Sequence, residues 1–311
     1  MRENPVRTSA RFVMGQAQGV RLDAQALDRL AQELLGLPPN AWEGRYHFRG
    51  EEELTLRYLL VLDTLNYCFW PDKSWHVVGP EGERLSGYFA LAYALRRAAE
   101  NAPEFFDPQH LAHLDEPALR NVLGAIPLLP WRVQGCREVG RVLVQWGSAR
   151  AFFAAARGSC FRLVELLTAH FPSFRDSAVY RGRWVCFHKR AQILCADLAG
   201  TFAERGPGAL EDLAWLTAFA DYKLPQILWA RGALVPHPRL AQRILAKEEI
   251  PAGSPEEVEI RAATVWAGEE LTQRLYALGR KIRAFEVDWL LWNLSQGPLS
   301  APHHRTLTWA Y

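Results

Sequence analysis

The sequence lacks long apolar runs and has almost no net charge. Its 311 residues include 36 basic and 34 acidic side chains, for a formal net charge of +2. A protein that tracks a long nucleic acid needs a basic surface, so this balance argues against such a partner and leaves room for a small anionic ligand. No run reaches the length of a bilayer span, and residues 1–10 lack the apolar core of a signal peptide. We therefore expect a soluble, cytoplasmic protein with no membrane partner.

The chain is also poor in the patterns that bind metals or form disulfides. It has five cysteines, an odd number, and no pair shows C-x-x-C spacing. This usage is typical of reduced core thiols in an intracellular protein. No histidines, cysteines and carboxylates stand together at metal-ligand spacing. The sequence therefore predicts neither a metal site nor a disulfide framework, and we expect no cofactor.

Helical periodicity dominates what is present. Apolar residues recur at helical spacing in a segment capped by Asp23 and over residues 54–67, 87–100, 117–125, 133–146, 160–171 and 188–205. Ser254-Pro255-Glu256-Glu257 predicts a capping box at the start of another helix. Turns near residues 79–82 and at Gly182 predict small hairpins. No linker or repeat divides the chain, so we predict a mainly α protein, a single compact helical domain over residues 1–311 with one or two small β-hairpins.

A basic cluster begins one of the predicted helices. His188, Lys189 and Arg190 precede an apolar helical stretch. Cations at a helix N-terminus oppose the helix dipole, which argues against a purely stabilising role. Beside free backbone N–H groups they are placed to hold a phosphate, with Lys223 as a further candidate. A solvated basic turn is an equally good interpretation of this spacing alone.

Asp221 is the strongest candidate for chemistry. It lies among apolar residues, in a segment that we predict to be a helix ended by Pro225. An unpaired buried carboxylate is costly, so it is usually hydrogen-bonded, paired or functional. Asp197 and Asp212 are weaker candidates, and Asp212 is also suited to satisfying a helix N-terminus.

Asp288 lies in an aromatic stretch, FEVDWLLWNL, near the end of the chain. At i,i+4 spacing it shares a helix face with Trp292, as Trp289 does with Asn293. A carboxylate beside indole rings suits a pocket for an amino-substituted base, and a buried aspartate bonded to an indole N–H is the structural alternative. His47 is an isolated histidine in a predicted loop.

Across these segments, in order from about residue 60 to 292, the chain resembles the queuosine salvage protein family. The matching stretches are 63–70 (DTLNYCFW), 86–88 (SGY), 171–176 (FPSFRD), 189–197 (KRAQILCAD), 219–228 (FADYKLPQIL), 232–234 (GAL), 257–261 (EVEIR) and 288–292 (DWLLW). Several exceed six residues. The match is therefore more specific than any single short motif.

The resemblance implies a fold related to helix-hairpin-helix DNA glycosylases and metal-free hydrolysis of queuosine 5'-phosphate to queuine and ribose 5-phosphate. It implies that Asp221 acts as nucleophile or transition-state stabiliser. It also implies ligand contacts from His47, Phe219, Asp288 and Trp289. Asn293, where the family often has aspartate, is a further binding candidate. A DNA-repair-type glycosylase and a non-catalytic binder of modified nucleosides are the alternatives.

Overall fold

The computed structural model describes residues 3–38, 42, 44–72 and 74–311, and within them the predicted mainly helical architecture is confirmed. The α-helices are α1 (Pro5–Met14), α2 (Ala24–Leu35), α3 (Glu52–Leu65), α4 (Gly87–Asn101), α5 (Pro108–Ala112), α6 (Glu116–Leu123), α7 (Leu129–Trp146), α8 (Ala149–Ala154), α9 (Cys160–His170), α10 (Lys189–Thr201), α11 (Lys223–Ala230), α12 (Pro238–Leu245), α13 (Pro255–Ala277) and α14 (Ala284–Leu294). Short 3-10 helices cover Pro103–Phe106, Pro172–Phe174, Gly206–Gly208 and Leu213–Trp215. None of the described helices is both long and apolar enough to cross a membrane.

The strands are short and pair two by two. They are β1 (Val20–Leu22), β2 (Val77–Val78), β3 (Arg84–Leu85), β4 (Ser177–Tyr180), β5 (Arg183–Cys186) and β6 (Leu234–Pro236). The antiparallel β2–β3 and β4–β5 pairs are the two predicted hairpins. The β1–β6 pair was not predicted, because it joins segments more than 200 residues apart in the chain.

Two predicted helix starts can be compared with the structure. The Asp23 side chain accepts the N–H of Ala26 and caps α2, as predicted. Ser254 caps α13 by accepting the N–H of Glu257. The capping box also predicts that Glu257 accepts the N–H of Ser254. This part of the prediction is wrong, because the Glu257 carboxylate accepts the N–H of Gly253, one residue before the cap.

The core has two main apolar clusters, and a cavity lined by residues of both lies where they meet. The larger cluster surrounds α3, which is buried nearly throughout and packs against α4, α7 and α10. The second cluster joins α2, α11, α13 and α14. A smaller one forms where α1 and the β4–β5 hairpin pack against α13. Helix α14 contributes to both main clusters, and it meets α10 at the same cavity.

Candidate active site

A cavity of about 680 Å³ lies between α4, α10 and α14. Seven of the residues assigned to the site from the sequence line it, although they come from distant parts of the chain: His47, Lys189, Phe219, Asp221, Asp288, Trp289 and Asn293. Lys223, a further candidate, lines an adjoining cavity. The fold therefore brings the predicted site residues together around two connected spaces.

Asp221 lies at the wall shared by the two cavities. It stands before a helix and not within one, so the predicted helix ending at Pro225 is wrong. Helix α11 begins at Lys223, and Pro225 sits in its first turn, where a missing N–H costs nothing. Asp221 Oδ1 accepts the N–H groups of Lys223 and Leu224 at 2.8 and 2.9 Å. Burial raises the pKa of this carboxyl, and Lys189 together with these two N–H donors opposes the rise.

Asp288, on α14, is a second buried carboxyl group in the same cavity. Its Oδ1 accepts the N–H of Phe219 at 2.7 Å. Burial and the nearby charge of Asp221 raise the pKa of Asp288 well above its ordinary value. The environments of these two carboxyls differ, because Asp221 has two backbone donors and Asp288 has one. Asp221 is therefore the better placed of the two to remain ionised.

Lys189, the first residue of α10, supplies the positive charge of the site. It is buried, and its Nζ donates to the carbonyl of Asn66 at 3.3 Å. Burial lowers the pKa of Lys189, while Asp221, Asp63 and Asp288 act in the opposite direction. The interpretation of this region as a solvated basic turn is therefore wrong.

Arg190 follows Lys189 but points elsewhere. Its guanidinium donates to the carbonyls of Asp63, Thr64 and Ser173, and the side chain is buried. It ties α10 to the end of α3 and to the 3-10 turn at Pro172–Phe174. Arg190 therefore has a structural role, and it lies outside the described lining of both cavities.

A hydrogen-bond network closes the far side of the first cavity. Asp197 Oδ1 accepts the indole N–H of Trp42 at 2.9 Å, and Oδ2 accepts the hydroxyl of Tyr88 at 2.7 Å. His47 Nε2 lies 2.8 Å from the same hydroxyl. Since the Tyr88 hydroxyl donates its hydrogen to Asp197, its oxygen accepts a hydrogen bond from His47 Nε2–H. Burial raises the pKa of Asp197 to about 6 despite these donors and Lys189.

Behind Asp197 lies Asp63, a fully buried carboxyl group on α3. Burial and the charge of Asp197 raise the pKa of Asp63 well above its ordinary value. Four carboxyl groups thus share the electrostatic influence of Lys189. Of these, the sequence interpretation overlooked Asp63 and ranked Asp197 low, because their positions in two largely buried helices carry no local signal for a site.

Aromatic rings form most of the remaining wall. Phe219 and Trp289 line the cavity, and the Trp292 ring meets Phe89 edge to face with centroids 5.1 Å apart. Such surfaces bind a flat, apolar or heteroaromatic group well. Asp212, the other weak candidate, lies elsewhere and accepts the N–H groups of Cys160 and Phe161 at the start of α9. Its alternative interpretation, satisfying a helix N-terminus, is confirmed.

The adjoining cavity, of about 1240 Å³, shares Asn66, Tyr88, Lys189, Asp221 and Trp292 with the first. The lining of this second cavity is more polar than that of the first. Lys223 and the N-terminal residues of α4, Ser86 and Gly87, face it. The side chain of Ser86 does not cap α4. Among the described residues, no group of three or more histidine, cysteine and acidic side chains is placed to hold a metal ion.

This combination of a ring-lined cavity, buried carboxyls and one buried lysine defines a small-molecule site of the kind that accepts a planar base. Comparison with known proteins gives the family. Residues 46–311 match the family model described as queuosine salvage protein. The chain therefore belongs to the queuosine salvage protein family.

Similar proteins match along nearly the whole chain. One from Sphaerobacter thermophilus is 44% identical over 317 residues, 98% of this chain and 97% of its own. One from Dictyostelium discoideum is 36% identical over 98% of both chains. One from Mus musculus is 31% identical over 96% of both chains. Each of the three is named queuosine 5'-phosphate N-glycosylase/hydrolase.

Proposed function

We propose that this chain is a queuosine 5'-phosphate N-glycosylase/hydrolase that releases queuine and ribose 5-phosphate. The proposal rests on family membership together with one observation, a buried carboxylate held by two N–H donors at the wall between a ring-lined cavity and a polar one. We propose that it acts in the cytoplasm on a small-molecule nucleotide. We also propose that it is a single domain, since the residues that line the cavity run from position 42 to position 293.

In this proposal Asp221 faces the ribose. Breaking the N-glycosidic bond develops positive charge at C1' and the ring oxygen, and an adjacent carboxylate stabilises that charge or traps it covalently. Oδ1 is engaged at the start of α11, so Oδ2 is the oxygen offered to the sugar. The N–H donors also keep Asp221 from rotating, so the oxygen is in place before the substrate binds.

The base occupies the first cavity. Queuine is a 7-deazaguanine, so it presents N1–H and a 2-amino group side by side, two donors that the Asp288 carboxylate can accept. Phe219 or Trp289 stacks on the ring plane. His47 and Asn293 lie in the same cavity and complete the contacts we assign to the base. Because the base has no basic N7, a donor in the cavity must offset negative charge as it leaves.

The 5'-phosphate occupies the second cavity, on the other side of Asp221. Lys223 and the residues at the start of α4 line this space, and Lys189 borders both cavities. A helix N-terminus and a lysine are favourable partners for a phosphate. Binding the phosphate positions the sugar over Asp221 and contributes mainly to orientation.

Incubating the protein with queuosine 5'-phosphate and separating the products by chromatography tests the proposal directly. We expect free queuine and ribose 5-phosphate in equal amounts. Binding of the nucleotide without any free queuine would support a non-catalytic binder instead. Cleavage of a base from duplex DNA, with affinity falling steeply as salt rises, would support a DNA-repair glycosylase.

A further inference from the structure

Two of the sequence stretches noted above, FPSFRD (171–176) and EVEIR (257–261), meet in a buried ion pair outside the cavity lining. Arg261 of α13 donates from Nη1 to Asp176 Oδ1 at 2.7 Å and from Nη2 to Oδ2 at 2.6 Å. The guanidinium lies between the rings of Phe187 and Tyr311, 4.1 and 4.4 Å from their centroids. Arg261 and Asp176 are 3% and 6% exposed, so packing and hydrogen bonds fix this geometry.

The same pair reaches two site segments through their backbones. Arg261 Nε donates to the carbonyl of Ala220 at 3.2 Å, one residue before Asp221. Asp176 Oδ2 accepts the N–H of Lys189 at 3.0 Å. The ion pair therefore links the main chain that carries Asp221 to the main chain that carries Lys189.

We propose that Arg261 is a positioning residue for N-glycosidic cleavage, which acts with Asp176 to fix the separation of Lys189 and Asp221. This inference rests on the proposed function. Neither Arg261 nor Asp176 is among the described residues that line the two cavities, so neither touches the substrate in this arrangement.

The separation matters because each of the two charged groups acts on the other. Lys189 is the main opposite charge for Asp221, and Asp221 is the main opposite charge for Lys189. A displacement of about 1 Å at a reacting group costs on the order of 100-fold in rate.

Arg261→Lys and Asp176→Asn test the two halves of the link. Lysine keeps the charge but cannot supply three planar donors, and asparagine keeps the shape but removes the carboxylate. We expect kcat for queuosine 5'-phosphate to fall about 100-fold in each variant, while KM and queuine affinity change less than about threefold. Because both residues act on one link, the kcat of the double variant should be little lower than that of the more impaired single variant.

Glu257→Gln is the matched control. Glu257 is buried and lies 3.6 Å from Arg261 Nη1, yet no hydrogen bond joins its side chain to Ala220 or Lys189 among the described residues. Its kcat should stay within about threefold of the parent value. Rates are expressed per queuine-binding site, measured by titration, so that partly unfolded protein does not count as slow enzyme.

Three results would overturn the inference. The first is an unchanged kcat in Arg261→Lys, and the second is an equal loss in Glu257→Gln. The third is the disappearance of queuine-binding sites from both Arg261→Lys and Asp176→Asn, which would assign the ion pair to folding alone. Failure of the parent protein to release queuine would overturn the proposed function, and the inference with it.

Discussion

Asp288 accepts the backbone N–H of Phe219 at 2.7 Å, so the carboxyl group of α14 fixes the main chain that carries another ring of the same cavity. The residue that we assign to the base edge thus also positions one that we assign to the base face. Removing the whole side chain affects both, and a substitution must separate them to be informative.

Asp288→Asn makes that separation. The amide oxygen can keep the bond from Phe219, while the amide nitrogen presents donors to the N1–H and 2-amino donors of the base. We expect queuine affinity to fall by about two to four orders of magnitude with little change in melting temperature. Asp288→Ala should also lose stability, by about 1–3 kcal/mol, because the N–H of Phe219 loses its partner. Isothermal titration and thermal melts check both, and tight queuine binding by Asp288→Asn would exclude the assignment.

Queuine binding should release protons at neutral pH. The pKa of Asp288 lies well above its ordinary value in the empty site, so this group keeps its proton to a higher pH than a free aspartate does. Two donors from the base favour the ionised form and lower this pKa, which drives the proton into solution. Titrations in buffers of different ionisation enthalpy measure the number released, and Asp288→Asn is the control. Binding without proton release would contradict a change in the ionisation of Asp288 on queuine binding.

Asp221→Asn should keep the fold and abolish cleavage. An amide oxygen can accept the N–H groups of Lys223 and Leu224, but it cannot offset a cationic transition state. A loss of several orders of magnitude in kcat is on the scale expected of such a group. Asp212→Asn is the matched control, since it changes a carboxylate that bonds the start of α9 and should leave the rate unaffected. Near-normal turnover by Asp221→Asn would place the catalytic group elsewhere.

Lys223→Ala should erase most of the preference for the 5'-phosphate. The residue faces the second cavity and is not among the described lining of the first. We therefore expect about a tenfold or greater loss of kcat/KM for queuosine 5'-phosphate and almost none for the dephosphorylated nucleoside. Lys189→Ala should instead slow both substrates, because Lys189 borders both cavities and balances the carboxylates. Equal discrimination by Lys223→Ala and the parent would mean that other groups bind the phosphate.

Asp197 should make the protein less stable as the pH rises toward 6. Burial raises its pKa in the folded state to about 6 from 3.8, so the folded state holds more protons than the unfolded state between these values. Stability from this group is complete below the lower pKa and is lost as pH rises through the upper one. The free energy of unfolding of Asp197→Asn, measured relative to that of the parent, should increase by on the order of 3 kcal/mol from pH 4 to pH 7. Urea unfolding at several pH values measures the difference, and a pH-independent difference would contradict it.

The sequence predicted elements whose signals are local. The cap at Asp23 and the hairpin at Gly182 were recognised because a few adjacent residues determine them. The apolar pattern runs on through Asp221 and predicts a helix there, with Pro225 as its end. Proline also fits the first turn of a helix, and the pattern alone does not distinguish the two positions.

Much of the site depends on contacts between distant residues. Arg190 donates to carbonyls of Asp63 and Thr64, which lie more than 120 positions away, so its structural role could not be seen in the sequence. Trp42 and Tyr88 converge on Asp197 from separate segments for the same reason. The predicted residues that do line the cavity were found through residue type and family resemblance, since spacing along one helix does not specify which helices meet.

The position of Asp221 at the wall between two cavities has a kinetic consequence. If the scissile bond lies at that wall, its cleavage leaves queuine in one chamber and ribose 5-phosphate in the other. Neither product then obstructs the exit of the other, so the two products need not be released in a fixed order. Both products can also bind the protein at the same time. A mixture of the two should therefore inhibit cleavage more strongly than two products that compete for a single site.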